Sequence, residues 1–464
     1  MKRHLERSVL AVAVSSCLLA SMPALAITNV EANAGPQFNF VNPGARSLGM
    51  GGAFIGLADD STAAYTNPAG LGQLSRKEFV AEGRYTEFST LSANNGRLLG
   101  TPTGIGQDTV AGVQIQDTSR DVTNLSFLAF ALPLEHGTLA FYRHELANFG
   151  ADFASNGPFV QTLNAGDGEG GPPRVQRVLP TINDIRLKIA DYGFAGSWHA
   201  GDKVMLGASL NFYHFDFDTL TRRYDVDADH SGSASALELL TVTDFSDSAL
   251  RDILTQKGSD NAFGFNLGAL WQPNDRWSFG AVYRKGPEFD YDYANARVGI
   301  ATPLFEGTTT FKVPDMWGFG LGYRPSDSWR ISFDLARVMY SQHSDHVVSQ
   351  GNGAEITYLK LRDTTEARLG AEYTAIDAKH PYNIRFGAWR EPAHQMFFDG
   401  IAEESLDLDQ RFANAHAAIF AKSGDAMHFT AGYGVVFNKF QLDTALDISQ
   451  RVTVFSISLG YYLK

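Results

Sequence analysis

Trp317-Gly318-Phe319-Gly320-Leu321-Gly322-Tyr323 alternates a bulky apolar side chain with glycine. Successive side chains of an extended chain point to opposite faces, so this stretch has one face of large side chains and one almost bare. The same period of two runs through Phe263, Phe265, Leu267, Ala269 and Trp271, with Gly264, Asn266 and Gly268 between them. It recurs in Trp277, Phe279, Ala281, Tyr283, and in Met427, Phe429, Ala431, Tyr433, Val435, Phe437 against Thr430, Gly432 and Gly434. A soluble β-sandwich also alternates. Its inner face must fill a core, which glycine and serine cannot do, so the bulky face here looks outward to lipid and the small face into a lumen.

Composition agrees. The 464-residue chain is 44% hydrophobic and only 19% charged, and it carries 45 Gly, 33 Phe and 17 Tyr. Past Ala26 no apolar run reaches the length a membrane helix needs, yet aromatic and glycine content is too high for an ordinary soluble enzyme of this size. Residues 1–26 read as a secretory leader: Lys2, Arg3 and Arg7 precede an apolar run, and Ala24-Leu25-Ala26 is an A-x-A cleavage site. Val14-Ser15-Ser16-Cys17 offers a lipobox as the alternative. Cys17 is the single cysteine, so cleavage after Ala26 leaves no disulfide, thiolate metal site or cysteine nucleophile. Losing Lys2, Arg3, Arg7 and Glu6 takes the net charge from −13 to −15, which argues against a nucleic-acid partner.

Trp271-Gln-Pro-Asn-Asp-Arg-Trp277 and Tyr323-Arg-Pro-Ser-Asp-Ser-Trp329 are short polar turns flanked by rings, as an interfacial girdle beside periplasmic turns would be. Trp198-His-Ala-Gly-Asp-Lys-Val204 is a partial third copy. Long polar stretches at 148–183, 221–258, 287–310 and 341–362 alternate with these turns and read as outer loops. Strands are expected near 77–89, 122–132, 137–147, 185–199, 202–220, 260–272, 276–290, 310–323, 328–340, 364–376, 383–390, 426–437, 440–448 and 451–463. The chain is thus an all-β, antiparallel transmembrane barrel of about fourteen strands, with both ends periplasmic. Residues 411–421 could hold a further strand. The last strand closes on Tyr461-Tyr462 followed by Leu463-Lys464, a departure from the terminal aromatic common in such barrels.

Ahead of the first strand, 42–71 carries Gly44, Gly49, Gly51, Gly52 and Gly56, then Asp59-Asp60, then the turn Asn67-Pro68. Glycine at that density reads as compact irregular structure packed closely on other backbone, and Asn before Pro ends it in a turn. No G-x-x-x-x-G-K-[ST] supports a phosphate loop. The string Gly-Ala-Arg-Ser-Leu-Gly-Met-Gly-Gly-Ala-Phe (44–54), with Ala58-Asp59-Asp60-Ser61 and Asn67-Pro68-Ala69-Gly70-Leu71, resembles the N-terminal plug signature of the FadL-type outer-membrane transport superfamily. That superfamily takes up long-chain fatty acids and other hydrophobic compounds; PorV-like proteins of a bacterial secretion system carry much the same string, which implies as the alternative a structural or docking barrel whose outer loops hold a secreted or surface partner protein. The resemblance implies an outer-membrane protein with residues 27–74 as a plug inside a barrel of 75–464. Its motif residues here are Gly49, Gly51, Gly52, Asp59, Asp60, Asn67, Pro68 and Ala69. It further implies a hydrophobic small-molecule substrate, an outer apolar groove and a gap in the wall, without assigning their residues. A lumen of about fourteen strands leaks unless occupied. The Asn67-Pro68-Ala69 turn is expected to meet the first strand, and the protein is expected to be a monomer in the outer-membrane bilayer.

No catalytic constellation competes: there is no G-x-S-x-G or H-E-x-x-H, and the twelve histidines are scattered. A spatial triad leaves no mark in sequence order, so an outer-membrane lipase or protease stays open. No cofactor is required, but one cation site is expected. Asp227-Ala-Asp229-His-Ser231-Gly232-Ser233-Ala-Ser235-Ala-Leu-Glu238 fits the twelve-residue calcium loop, with oxygen ligands from Asp227, Asp229, Ser231 and Ser235, the Ser233 carbonyl, and a bidentate Glu238. Helix-like composition follows at 236–254. The alternative is an acidic, solvated loop tip.

Overall fold

The computed structural model describes residues 40–99, 110–162, 174–177, 180–225, 245–345, 358–399, 420 and 424–463. Sixteen strand segments build the wall among these residues. They are β1 Lys77–Leu99, β2 Gly112–Leu134, β3 Gly137–Ser155, β4 Thr181–His199, β5 Val204–Tyr224, β6 Leu250–Asn274, β7 Trp277–Lys285, β8 Glu288–Arg297, β9 Phe305–Lys312, β10 Met316–Ser326, β11 Trp329–Val338, β12 Thr364–Ala375, β13 Tyr382–Glu391, β14 Ala426–Val436, β15 Phe440–Ile448 and β16 Val452–Leu463. Each pairs antiparallel with its neighbours, and β16 returns to β1 from Lys77↔Leu463 to Phe88↔Val452, which closes the barrel. β7 with β8, and β9 with β10, are two halves of single strands interrupted at Gly286-Pro287 and at 313–315, so the wall counts fourteen strands.

The sorting of faces follows the alternation. Phe263 (68% exposed), Phe319 (61%), Phe386 (63%) and Phe429 (65%) look out, which makes sense only if lipid covers them. Trp277 stacks on Tyr323 at 4.2 Å and Trp329 lies 5.1 Å from Tyr373, so the rings beside the short turns pack in cross-strand pairs.

Strand ends differ from the sequence reading on one side only. The periplasmic turns fall as expected, but strands run farther outward: β3 continues to Ser155, β4 starts at Thr181, β6 starts at Leu250, and β8 and β9 occupy most of 287–310. Above the bilayer the outward face meets water while the inward face stays apolar, as at Phe149, Phe153, Phe289 and Tyr291, so the bulky-outward period is lost while the ladder goes on. The helix-like reading of 236–254 fails at its end for that reason. Asp247–Ala249 is a single 3-10 turn, and Leu254 pairs with Thr221. The further strand considered at 411–421 lies outside the described residues apart from Phe420.

Candidate functional site

Residues 40–74 run along the inner wall and are bonded to strands all the way round it. α1 (Ala45–Gly49) and α2 (Ala63–Thr66) are short, and Pro68–Gln73 is a 3-10 turn. Gly44 N donates to Glu82 of β1, Ala45 N to Ser458 of β16, Gly51 N to Thr430 of β14, and Phe54 N and Ile55 N to one oxygen of Asp334 on β11. On the opposite side Ser278 of β7 donates to Gly56 O, and Asn67 Nδ2 to Ala269 O of β6. Donors and acceptors of irregular backbone must be satisfied when buried, and here the wall satisfies them.

The bare face of the strands is what lets this backbone in. A Cβ on Gly387 would stand 2.3 Å from Gly51 N, one on Gly320 2.3 Å from Gly56 N, and one on Gly207 2.3 Å from Ala69 N. Gly49 lies directly against Gly432. Gly51 and Gly52 adopt φ of 66° and 72°, which explains the pair, since side chains resist that region. Asp59 and Asp60 bind one cation together: Arg46 reaches Asp59 at 2.6 Å and Asp60 at 3.2 Å, and its Nε reaches Glu372 of β12 at 2.9 Å. Burial opposes the Arg46 charge, but Asp59, Glu372 and Asp60 outweigh it and hold its pKa well above the ordinary value. Burial raises the Asp60 carboxyl above its usual range against the pull of Arg46.

Asn67, Pro68 and Ala69 sit together as one turn, with Asn67 Oδ1 accepting Ala69 N at 3.3 Å. They do not meet the first strand as expected. They rest on Gly207 of β5 and Gly268 of β6, because Asn67 Nδ2 is committed to Ile55 O and Ala269 O, and the 3-10 turn then carries the chain to β1.

Above this segment the lumen is aromatic. Phe215 stacks on Phe289 at 4.6 Å and lies 5.1 Å from Phe311, while Phe217 lies 5.3 Å from Tyr291. Phe149, Phe153, Leu187 and Phe40 join the same buried cluster. To one side His428 is held between Asp447 (2.9 Å) and Glu391 (3.3 Å) and stacks on Trp389 at 3.8 Å. Carboxylates occupy both of its nitrogens, which leaves no basic nitrogen for a nucleophile. Among the described residues no cluster of His, Cys, Asp and Glu could hold a metal.

One side of the wall comes apart. β2 and β3 pair only from Leu134↔Gly137 to Phe127↔His144. Beyond that rung β2 goes on to Gly112 with its ladder on β1, and β3 goes on to Ser155 with its ladder on β4, with a bulge between Glu145 and Ala147; at the outer end Ser155 Oγ donates to Ala93 O of β1 at 2.7 Å. Two side-chain bonds span the seam here, Asn124 Nδ2 of β2 to Glu145 and Arg143 to Leu125 O of β2, while within β3 Glu145 also accepts Arg143 Nη2 at 2.6 Å and Asn148 Nδ2 at 2.6 Å. Farther out Arg120 bridges to Asp152.

The family model for outer membrane protein transport proteins (OMPP1/FadL/TodX) matches residues 183–388. That match takes in somewhat less than half of the chain, which is thus similar to the FadL-type superfamily. It is 25% identical over 138 residues to the long-chain fatty acid transport protein of Escherichia coli O6:H1, a match covering 25% of this chain and 30% of the relative's length. The fold is that of a Pseudomonas aeruginosa FadL homologue (TM-score 0.59, 14% identity, 92% of this chain and 98% of that one) and of the Pseudomonas putida toluene transporter TodX (0.56, 16%, 92% and 99%). The CymD monoaromatic hydrocarbon channel is as similar (0.56, 17%, 92% and 99%). A FadL-type barrel resides in the outer membrane, and these matches do not favour the PorV-like reading. Sequence reasoning placed the Gly-rich string in the lumen but missed the seam, whose signal is one charged residue, Arg143, on the outward face of an apolar strand. Asp227, Asp229, Ser231, Ser233, Ser235 and Glu238 lie outside the described residues.

Proposed function

We propose that this protein is a passive, non-enzymatic transporter for hydrophobic compounds such as long-chain fatty acids, and that it works as a monomer. Residues 1–26 are its leader, 27–74 its plug and 75–464 its barrel. The observation that carries this reading is the buried aromatic cluster that stands over an occupied lumen, beside a wall whose ladder stops at Phe127↔His144. A solute bound among Phe149, Phe215, Phe217 and Phe311 finds the straight path through the barrel filled by backbone hydrogen-bonded to strands on opposite sides. The way open to an apolar solute is sideways, between β2 and β3, into a medium as apolar as itself. The relatives are named for fatty-acid and for toluene or monoaromatic hydrocarbon transport, which fits the solute class.

Uptake of labelled long-chain fatty acid by a strain lacking its own transporter should rise when this protein is supplied. No rise, repeated with several hydrophobic solutes, rejects the proposal. Deleting 27–69 should leave an inserted barrel with a large, steady conductance in planar bilayers, and an unchanged conductance would mean that the segment does not occlude the lumen.

A further inference from the structure

We infer that Arg143 and Glu145 form a head-group site at the seam, which selects amphiphiles bearing a hydrogen-bonding head over plain hydrocarbons. The inference rests on the transport reading above. Its starting point is a misplaced charge. Leu139 (36% exposed) and Phe141 (62%) precede Arg143 on the outward face of β3. Arg143 pairs with Tyr192, which pairs with Phe212, which pairs with Phe263, and all three of those rings are exposed on the lipid face. Arg143 therefore lies within the apolar belt, where an ionisable side chain is costly and is kept for a reason.

Two cavities meet at this point. On the lipid face a groove of ≈ 520 Å³ is lined by Phe79, Phe130, Phe141, Phe194 and Phe212, and Arg143 is the one charged side chain along it. On the lumen face a cavity of ≈ 100 Å³ has Asn124, Glu145 and Asn148 on its seam side and the charged Arg84, Glu391 and Asp447 among its other walls. The Arg143–Glu145 contact at 2.6 Å separates them, and Glu145 is 4% exposed. Both residues stand on β3, and a solute passing from lumen to lipid between β2 and β3 has to break their bonds to β2, Glu145 to Asn124 Nδ2 and Arg143 to Leu125 O.

The chemistry of the head then decides the cost. A hydrocarbon offers nothing in place of those bonds, so its passage leaves Asn124 Nδ2 and Leu125 O unsatisfied beside the ion pair in the apolar belt. A carboxylic acid or alcohol donates its O–H to Glu145 and accepts from Arg143, so both stay bonded while the chain lies along the aromatic groove. The groove suits an acyl chain and its lone charge suits the head.

The test compares uptake of labelled palmitic acid and hexadecane by cells carrying equal outer-membrane amounts of wild type or of Arg143→Leu with Glu145→Leu. The double variant removes both charges at once and leaves neither stranded. Its ratio of palmitic acid to hexadecane uptake is expected to fall about tenfold. A purely structural role would change both probes alike, so an unchanged ratio overturns the inference alone. Wild type no better than empty-vector cells with both probes overturns the transport reading and the inference with it. If the double variant does not reach the membrane, Arg143→Gln, which keeps a donor without the charge, should lower the ratio about threefold, and an unchanged ratio again overturns the inference.

Discussion

The wall of this barrel is interrupted twice, on opposite plans. At Gly286-Pro287 and Pro314 two neighbouring strands break side by side, and buried charges cap the broken backbone. Lys312 Nζ donates to Gly286 O at 2.7 Å, while Asp315 accepts Gly286 N at 3.0 Å and the Tyr283 hydroxyl at 2.8 Å. Proline cannot donate to a ladder, so this break is written into the chain, yet Glu288↔Lys312 and Met316↔Arg284 resume pairing on either side of it. Between β2 and β3 there is no proline at 112–126 or 144–155. Both strands stay continuous and simply part, bridged by side chains. The first is a corner and the second a seam: broken backbone can be sealed, and intact strands can open.

The largest expected difference is in stability. Asp315→Ala strips Lys312 of a buried carboxylate and leaves Gly286 N uncapped, at a cost of about 3–5 kcal/mol. Asn148→Ala at the seam should cost about 1 kcal/mol. Urea unfolding of the two variants in the same detergent checks this, and equal losses would erase the distinction. A smaller effect should appear in hydrogen exchange. Amides of β2 beyond Ser126 that point across the seam should exchange at least about tenfold faster than those paired between β8 and β9; matched protection would mean that the seam is as closed as the corner. The smallest concerns the loop after β5. Calcium bound by Asp227, Asp229, Ser231, Ser233, Ser235 and Glu238 is expected at a dissociation constant on the order of 10⁻⁴ to 10⁻³ M. It would stiffen the mouth without touching either break. Calorimetric titration against Asp227→Ala and Glu238→Ala tests it, and equal heats from all three proteins reject the site.

Much of this wall could be read from alternation alone, because lipid imposes one sign of hydrophobicity on every outward position. Where lipid ends the signal weakens: the outer part of β1 (Thr90, Ser92, Asn94) and of β2 (Gln114, Gln116, Thr118) is polar on one face, and the other mixes Leu91, Ala93, Val113 and Ile115 with Asn95, Asp117 and Ser119, so the bulky period is short. The glycines of the N-terminal string were legible as close contacts, but not their partners. Arg46 binds Glu372 across 326 positions, and no local pattern encodes such a pair. The seam was hidden for a different reason. A strand that has left its neighbour keeps its own alternation, so 137–147 reads as a strand whether or not anything lies beside it.

Glu82 also sets the order of events in assembly. Its two oxygens accept Gly44 N, near the start of the described chain, and Ser456 Oγ on the final strand, while the neighbouring Ser458 takes Ala45 N across 413 positions. The bonds to Ser456 and Ser458 cannot form until the last strand has arrived. The N-terminal segment, synthesised first, is therefore seated last, in the same step that zips β16 to β1, and the slowest long-range encounter in the chain both closes the cylinder and fills it. A barrel that closed in the wrong register would offer Ala45 no acceptor at Ser458, so the segment acts as a gauge of correct closure.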